Sequence, residues 1–100
     1  MAKKLKKRVK MDTGFKVENI VASANLKVEL DLFNIAMKLD NVEYEPEQFP
    51  GAIMRLKDIG TTLLLFKNGK VICSGAKTEK QIGQSIRRAA DVLQRFVTHV

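Results

Sequence analysis

Residues able to carry out covalent chemistry are few and isolated in this 100-residue chain. The single cysteine, Cys73, excludes an internal disulfide and a cysteine-rich zinc site. The single histidine, His99, has no evident partner beside it in the sequence. No paired carboxylates, nucleophile with its base, or phosphate-binding loop can be assembled from the other residues. We therefore predict that the protein is not an enzyme and uses no metal or other cofactor.

Basic residues, by contrast, are numerous and unevenly spread. The formal net charge is +7, and six of the 18 Lys and Arg residues stand within the first ten positions, where there is no acidic residue. The rest of the chain carries 12 basic and 11 acidic residues and is nearly neutral. Such a segment is typical of a nucleic-acid-binding arm or a localisation signal, and a solubilising leader is the alternative. We predict a flexible basic tail over residues 1–14.

Residues 15–100 are predicted to form one small domain. The chain is 45% hydrophobic and 29% charged, which is the composition of a globular protein. No apolar run approaches the ~20 residues needed to span a bilayer, and no signal-peptide core follows the basic start. We expect a soluble protein with no membrane association, in the cytoplasm or nucleoid, or in the nucleus of a eukaryote.

Alternating hydrophobicity predicts the strands of this domain. One strand is expected over residues 15–26, and others over residues 51–56, 61–66 and 70–74. The pair Asn68-Gly69 is a strong signal for a two-residue hairpin loop between the last two of these.

Two helices complete the predicted order β-α-β-β-β-β-α. Asp31 is a plausible cap for a short first helix, and Thr78 with Gln81 forms a capping-box pattern before a longer second helix. One apolar stripe runs along that second helix, formed by Ile82, Ile86, Ala89, Leu93 and Phe96. We therefore predict an α+β fold, an antiparallel sheet with both helices on one face.

The other face of this sheet is predicted to be unusually apolar for a surface in water. It carries Val, Ile, Leu, Phe and small hydroxyl residues, with Asn19 in the centre and Arg55 and Lys70 among them. A protein partner is one interpretation of such a face. The DNA minor groove is the other, because Asn can bond to the acceptors A N3 and T O2, while close apolar contact excludes the amino group of G.

Long blocks of the chain resemble one repeat of the TATA-box-binding protein family, of the archaeal kind. They are "ENIVASANL", "NVEYEPEQFPGAIMRL" and "TTLLLFKNGKVICSGAKT" with the helix that follows, and together they cover roughly residues 17–96. The resemblance implies half of a saddle. Its curved sheet would have two helices on the convex face and a concave face that widens and bends the minor groove of TATA-like DNA.

The resemblance also implies a role for each residue of the open face. Phe49, in the polar turn "YEPEQFPG", and Phe66 would be wedges that enter base steps. Asn19 would be the central hydrogen bonder, helped by Ser74, and Gln48 stands where many family members have a basic residue. The implied DNA contacts are Asn19, Val21, Phe49, Ile53, Arg55, Leu64, Phe66, Lys70, Ile72 and Ser74, with Arg55 and Lys70 on the phosphate backbone.

Two other surfaces are implied to meet proteins. Glu45 and Glu47 match the acidic loop that docks a transcription factor B-type initiation factor, and a solvated turn is the alternative. Three arginines of the second helix and its end stand where family members bind regulators, and here a solvated helix face is equally consistent. They are Arg87, Arg88 and Arg95.

The chain contains one copy of the repeat, whereas the family saddle is built from two. The first strand of a single half would be an unpaired sheet edge. A two-fold homodimer would pair these edges, so we predict a saddle made of two chains. Two alternatives stay open: a detached module that grips RNA/DNA hybrid, as found with certain ribonucleases H, and a half-saddle that pairs with another protein repeat.

Overall fold

A six-stranded antiparallel sheet and two helices make up the computed structural model, which describes residues 8–18 and 21–100. In chain order the elements are β1 (Phe15–Glu18), β2 (Val21–Asn25), β3 (Glu29–Leu30), α1 (Leu32–Lys38), β4 (Val42–Tyr44), β5 (Ala52–Leu56), β6 (Thr61–Leu65), β7 (Lys70–Ser74), α2 (Glu79–Val92), a 3-10 helix (Gln94–Phe96) and β8 (Val97–His99). The large sheet has the strand order β1-β2-β7-β6-β5-β4, and β3 pairs with β8 separately.

Both helices pack on one face of the large sheet, as the sequence predicts. Alternate residues of the strands, such as Leu63 and Val71, lie in one buried cluster with Ile86 and Leu93 of the helical segment. All five residues of the predicted apolar stripe are buried. The α+β class, with four strands between the two helices, is confirmed.

Each helix begins at the predicted cap. The Asp31 carboxylate accepts a hydrogen bond from the Asn34 amide at 3.1 Å, and the Thr78 hydroxyl accepts one from the Gln81 amide at 3.1 Å. The Gln81 side chain reaches back to the amide of Lys77 at 2.7 Å, one residue before the position a capping box predicts. These bonds occupy amides that have no partner within the helix.

The hairpin between β6 and β7 is confirmed, but its loop is longer than predicted. Leu65 pairs with Val71, and Phe66 donates from its amide to the carbonyl of Lys70 at 2.9 Å. The loop therefore spans residues 67–69, with Gly69 at φ 90°. Gly69 is the left-handed residue that follows the turn in three-residue hairpin loops. The loop therefore contains one residue more than a two-residue turn.

The prediction of one continuous strand over residues 15–26 is wrong. β1 and β2 are antiparallel neighbours, and the register pairs Phe15 with Ala24 and Val17 with Ala22. The sequence predicts that the outer edge of this strand is unpaired. In the structure, β1 covers the outer edge of β2. The reversal also moves Val17 to the helix-covered face, because directly paired residues of a sheet point the same way.

The segment predicted to be a tail is described from residue 8 onward. Val9 and Met11 pack against the core. The backbone of Val9 donates to and accepts from the Gln94 side chain at 2.8 and 3.1 Å. Arg8 contacts Asp91 of α2 at 2.6 Å. Residues 8–11 therefore lie along the end of α2. Within the described residues, no helix is long and apolar enough to cross a membrane.

Candidate nucleic-acid interface

The face of the sheet opposite the helices, here called the open face, carries an ordered row of small and apolar side chains. The register pairs Ser23 with Ile72, Ile72 with Leu64, and Leu64 with Ile53. These four residues are half-buried, whereas their chain neighbours on the helix side are buried. A second row runs through Ser74, Thr62 and Arg55. Both rows contain the residues that the sequence assigns to the open face.

Two aromatic rings stand together at the edge of this face. Phe66 follows the end of β6, and Phe49 belongs to the loop between β4 and β5. Their ring centroids are 5.8 Å apart and the ring planes are inclined by 66°, an edge-to-face arrangement. Both residues are half-buried. The pair predicted from two distant parts of the sequence is thus brought together in space.

Gly51 makes room for this pair. A Cβ atom at this position would lie 2.9 Å from Cε2 of Phe49, 3.1 Å from Cε1 of Phe66 and 3.0 Å from the carbonyl oxygen of Leu65. Real Cβ atoms essentially never approach other atoms below 3.0 Å. The two rings therefore pack against the backbone of Gly51, where a larger residue would contact both of them.

The loop before Phe49 is stiffened by its own backbone. The carbonyl of Glu45 accepts hydrogen bonds from the amides of Gln48 at 2.9 Å and Phe49 at 3.0 Å. The side chains of Glu45, Glu47 and Gln48 are exposed around this turn. The loop, residues 45–51, thus presents two carboxylates to solvent while it holds Phe49 against Phe66.

The basic groups of the open face differ in their surroundings. Arg55 lies 3.3 Å from the carboxylate of Glu43, and both side chains are largely exposed. Lys70 is exposed and pairs with Asn25 across β2 and β7. Glu43 pairs with Ile53 in the register and so shares the open face. Sequence analysis missed Glu43, although its position between buried Val42 and half-buried Tyr44 follows strand alternation.

The remaining predicted contacts lie near β2. Val21 is on β2 and 36% exposed, next to buried Ala22. Ser74, predicted to assist Asn19, is half-buried in β7. Asn19 itself lies outside the residues that the structure describes, so its predicted place in the centre of the face stays a prediction.

Two of the three arginines on the helix side make contacts within the chain. Arg88 makes a two-pronged contact with the carboxylate of Asp58 at 2.9 and 3.2 Å. This guanidinium lowers the pKa of the Asp58 carboxyl, first through the hydrogen bonds and then through its charge. Arg95 lies over the ring of Phe96 at 5.0 Å from the centroid. Arg87 is exposed on α2.

The thiol of Cys73 and the hydroxyls of Thr61 and Ser85 are buried in the core. Cys73 is buried in β7, and burial raises the pKa of its thiol. The hydroxyls of buried Thr61 and Ser85 bond to each other at 2.6 Å, and Ser85 also donates to the Gln81 carbonyl at 2.8 Å. No group of three His, Cys, Asp or Glu side chains within the described part of the chain could hold a metal ion.

Comparison with known proteins agrees with this architecture. The family model described as "Transcription factor TFIID (or TATA-binding protein, TBP)" matches residues 14–96. The TATA-box-binding protein of Methanobrevibacter smithii is 53% identical over 81 residues, covering 81% of this chain and 45% of its own length. That of Methanopyrus kandleri is 48% identical over 79 residues, covering 79% of this chain and 42% of its own.

A solved structure gives the same result at the level of the fold. Methanococcus jannaschii TBP superposes with a TM-score of 0.73 and 38% identity, covering 76% of this chain and 45% of that one. The chain belongs to the TATA-binding protein family. It spans less than half the length of these relatives. The family model is described as a transcription factor and the relatives are named TATA-box-binding proteins, which agrees with the predicted non-enzymatic class.

Proposed function

We propose that the protein binds and bends TATA-like DNA through its open face, acting in transcription initiation or its regulation. The observation that carries this proposal is the Phe49–Phe66 pair at the edge of a face floored by small and apolar side chains. The TATA-binding protein is itself the standard example of a protein that kinks DNA with side chains inserted from the minor groove. The wedge mechanism is therefore carried over from the family.

The chemistry of the open face suits the minor groove of A·T base pairs. Ser23, Ile72, Leu64 and Ile53 lie in one row between Lys16 and Glu43. A·T pairs show only acceptors in the minor groove, whereas G·C pairs add an amino group that needs a hydrogen-bond partner. The aliphatic side chains Ile72, Leu64 and Ile53 offer that amino group no acceptor, so its burial against these three residues is unfavourable.

Phosphate contacts are proposed at the borders of the face. Arg55 and Lys70 are exposed there and carry the charge needed to meet the DNA backbone. Such contacts position the protein without reading sequence, and they make binding sensitive to salt. The basic residues before residue 11 add to the same salt-sensitive attraction to the DNA backbone.

Two copies of the chain are needed for a full saddle. One copy carries one Phe49–Phe66 pair, and the relatives are more than twice as long as the matched segment. We propose a two-fold homodimer in which β2 of one copy meets β2 of the other, so that two aromatic pairs flank one continuous floor.

Glu45 and Glu47 are proposed to dock a transcription factor B-type partner. Both carboxylates are exposed on a loop that the Glu45 carbonyl makes rigid. A symmetric dimer would present two identical loops and could not by itself set the direction of transcription. A two-fold dimer is unchanged by reversal, so the footprint of the protein alone on an asymmetric A/T site should extend equally to both sides of the site, and a one-sided footprint would contradict the symmetric dimer.

Fluorescence anisotropy with matched duplexes tests the binding proposal. A TATA duplex, the same duplex with G·C pairs, and one with inosine·C pairs would be compared, because inosine lacks the minor-groove amino group of G. We expect the TATA and inosine duplexes to bind alike and the G·C duplex about tenfold or more weakly. Equal binding of all three would contradict minor-groove recognition, and tighter binding of an RNA/DNA hybrid would favour the hybrid-binding alternative.

A further inference from the structure

The edge of the sheet that the two-chain saddle needs is occupied by the chain's own residues. β1 pairs with β2 along four positions, from Phe15 opposite Ala24 to Glu18 opposite Val21. The outer backbone groups of β2 are therefore satisfied within one chain. A second copy can meet them only after β1 has left.

This covering strand has four residues, of which Phe15 packs against the core. Asn19 and Ile20, which separate β1 from β2 in the sequence, do not include the glycine that favours a tight reversal of the chain. Val17 and Val21 near this end are 41% and 36% exposed although both are apolar. The closed hairpin thus leaves in water apolar surface that a different arrangement could bury.

A straight strand would place these residues differently. Residues two apart on a strand share a face, so Val17 would lie on the open face beside Val21 if residues 15–26 ran straight. In the hairpin Val17 instead pairs with Ala22 on the helix side. Straightening would therefore extend the apolar floor with residues that now protrude at the hairpin end.

We propose that β1 is an exchangeable cover of the dimer edge. In the single chain β1 closes β2, and in the dimer residues 15–18 straighten while β2 of a second copy takes their place. The inference rests on the proposed function, because only the two-chain saddle needs this edge. The backbone hydrogen bonds between β1 and β2 in the single chain are replaced in the dimer by bonds between the two copies. The balance between single chain and dimer is therefore set by chain concentration and by DNA.

A reversible lock across β1 and β2 tests this proposal. Lys16 and Ser23 are paired in the register and lie on the open face, so the double variant K16C/S23C can form a disulfide that holds the hairpin closed. Sedimentation would give the dimer Kd of the oxidised and the reduced forms. We expect the oxidised form to dimerise at least about tenfold more weakly than the reduced form of the same variant, which carries the same two substitutions.

A matched lock elsewhere controls for the chemistry. Glu29 and His99 are paired across β3 and β8, away from the edge of β2, so E29C/H99C should dimerise equally well oxidised and reduced. Cys73, the chain's own cysteine, is buried in the structure. Equal dimerisation of oxidised and reduced K16C/S23C would overturn the exchange and leave the homodimer intact.

A distance measurement gives a second, independent readout. Spin labels on reduced K16C/S23C, diluted with unlabelled chain, report the separation of these two positions within one chain. We expect it to rise from below about 10 Å in the monomer to about 23 Å in the dimer, since seven residues of straight strand span that length. A short distance in the dimer would overturn the exchange. If the unmodified chain stays monomeric with and without DNA, both the exchange and the two-chain saddle fail.

Discussion

The rings of Phe49 and Phe66 meet edge to face with centroids 5.8 Å apart, although 17 positions separate them in the sequence. Phe49 reaches this place through a loop that folds on the Glu45 carbonyl, and Phe66 reaches it by following the last residue of β6. The backbone of Gly51 lies beneath both rings. The contact joins a polar loop to the open face and gives a large aromatic in that loop an apolar neighbour.

Replacing both rings with alanine should remove most of the DNA bend and spare much of the binding. We expect F49A/F66A to bind a TATA duplex at low salt within about tenfold of the parent, because phosphate contacts remain, while energy transfer between dyes at the duplex ends falls to the value of free DNA. Phe33, 68% exposed on α1, supplies the control F33A, which should bend DNA normally. An unchanged bend in F49A/F66A would show that the wedge assignment is wrong.

Adding one methyl group at Gly51 should displace the aromatic pair. The G51A variant would place Cβ against both rings and the Leu65 carbonyl, and overpacking of this kind costs ~1–3 kcal/mol of the free energy of unfolding. Urea unfolding measures this cost. In the F49A/F66A background the cost should shrink, since only the backbone contact remains. An equal cost in both backgrounds would contradict the proposed packing.

Neutralising Glu43 should strengthen DNA binding. Its carboxylate lies 3.3 Å from Arg55 and competes with phosphate for that guanidinium. Exposed ion pairs contribute about 0.2–1 kcal/mol, so E43Q should bind a TATA duplex about 1.4- to 5-fold more tightly at low salt. The control E79Q removes an acid from the first turn of α2 and should leave the affinity unchanged. Weaker binding by E43Q would contradict a role of Arg55 at phosphate.

High pH should destabilise the fold through Cys73. Burial raises the pKa of this thiol above its usual 9.0, so the unfolded chain loses the proton first. The contribution is therefore fully favourable below pH 9.0 and is lost as the pH rises through the folded pKa. Unfolding free energies measured from pH 8 to 10.5 should fall more steeply for the parent than for C73A. Parallel curves would contradict this prediction.

Much of the fold can be predicted from the sequence because helix caps and the alternation of apolar residues depend on near neighbours in the chain. The caps at Asp31 and Thr78, the stripe of α2 and the two faces of β5, β6 and β7 each follow from spacing within a few residues. The juxtaposition of Phe49 and Phe66, by contrast, came from family resemblance, since no local pattern links a loop to the end of a strand.

The antiparallel pairing of β1 with β2 could not be predicted in the same way. Alternation over residues 15–26 fits a straight strand and a reversed one equally, and the sequence there has neither glycine nor proline to mark a reversal. The place of Glu43 was missed because a single charged residue in a three-residue strand carries little periodicity. Both depend on which neighbour the strand finds in the folded sheet.

The stoichiometry of the DNA complex tests the central claim most directly. Light scattering and native mass spectrometry would count the chains on one TATA duplex whose bend is read in parallel by energy transfer. Two copies of the chain on each bent duplex is the predicted result. A single copy per bent duplex, or a strict monomer at micromolar concentration with and without DNA, would contradict the two-chain saddle.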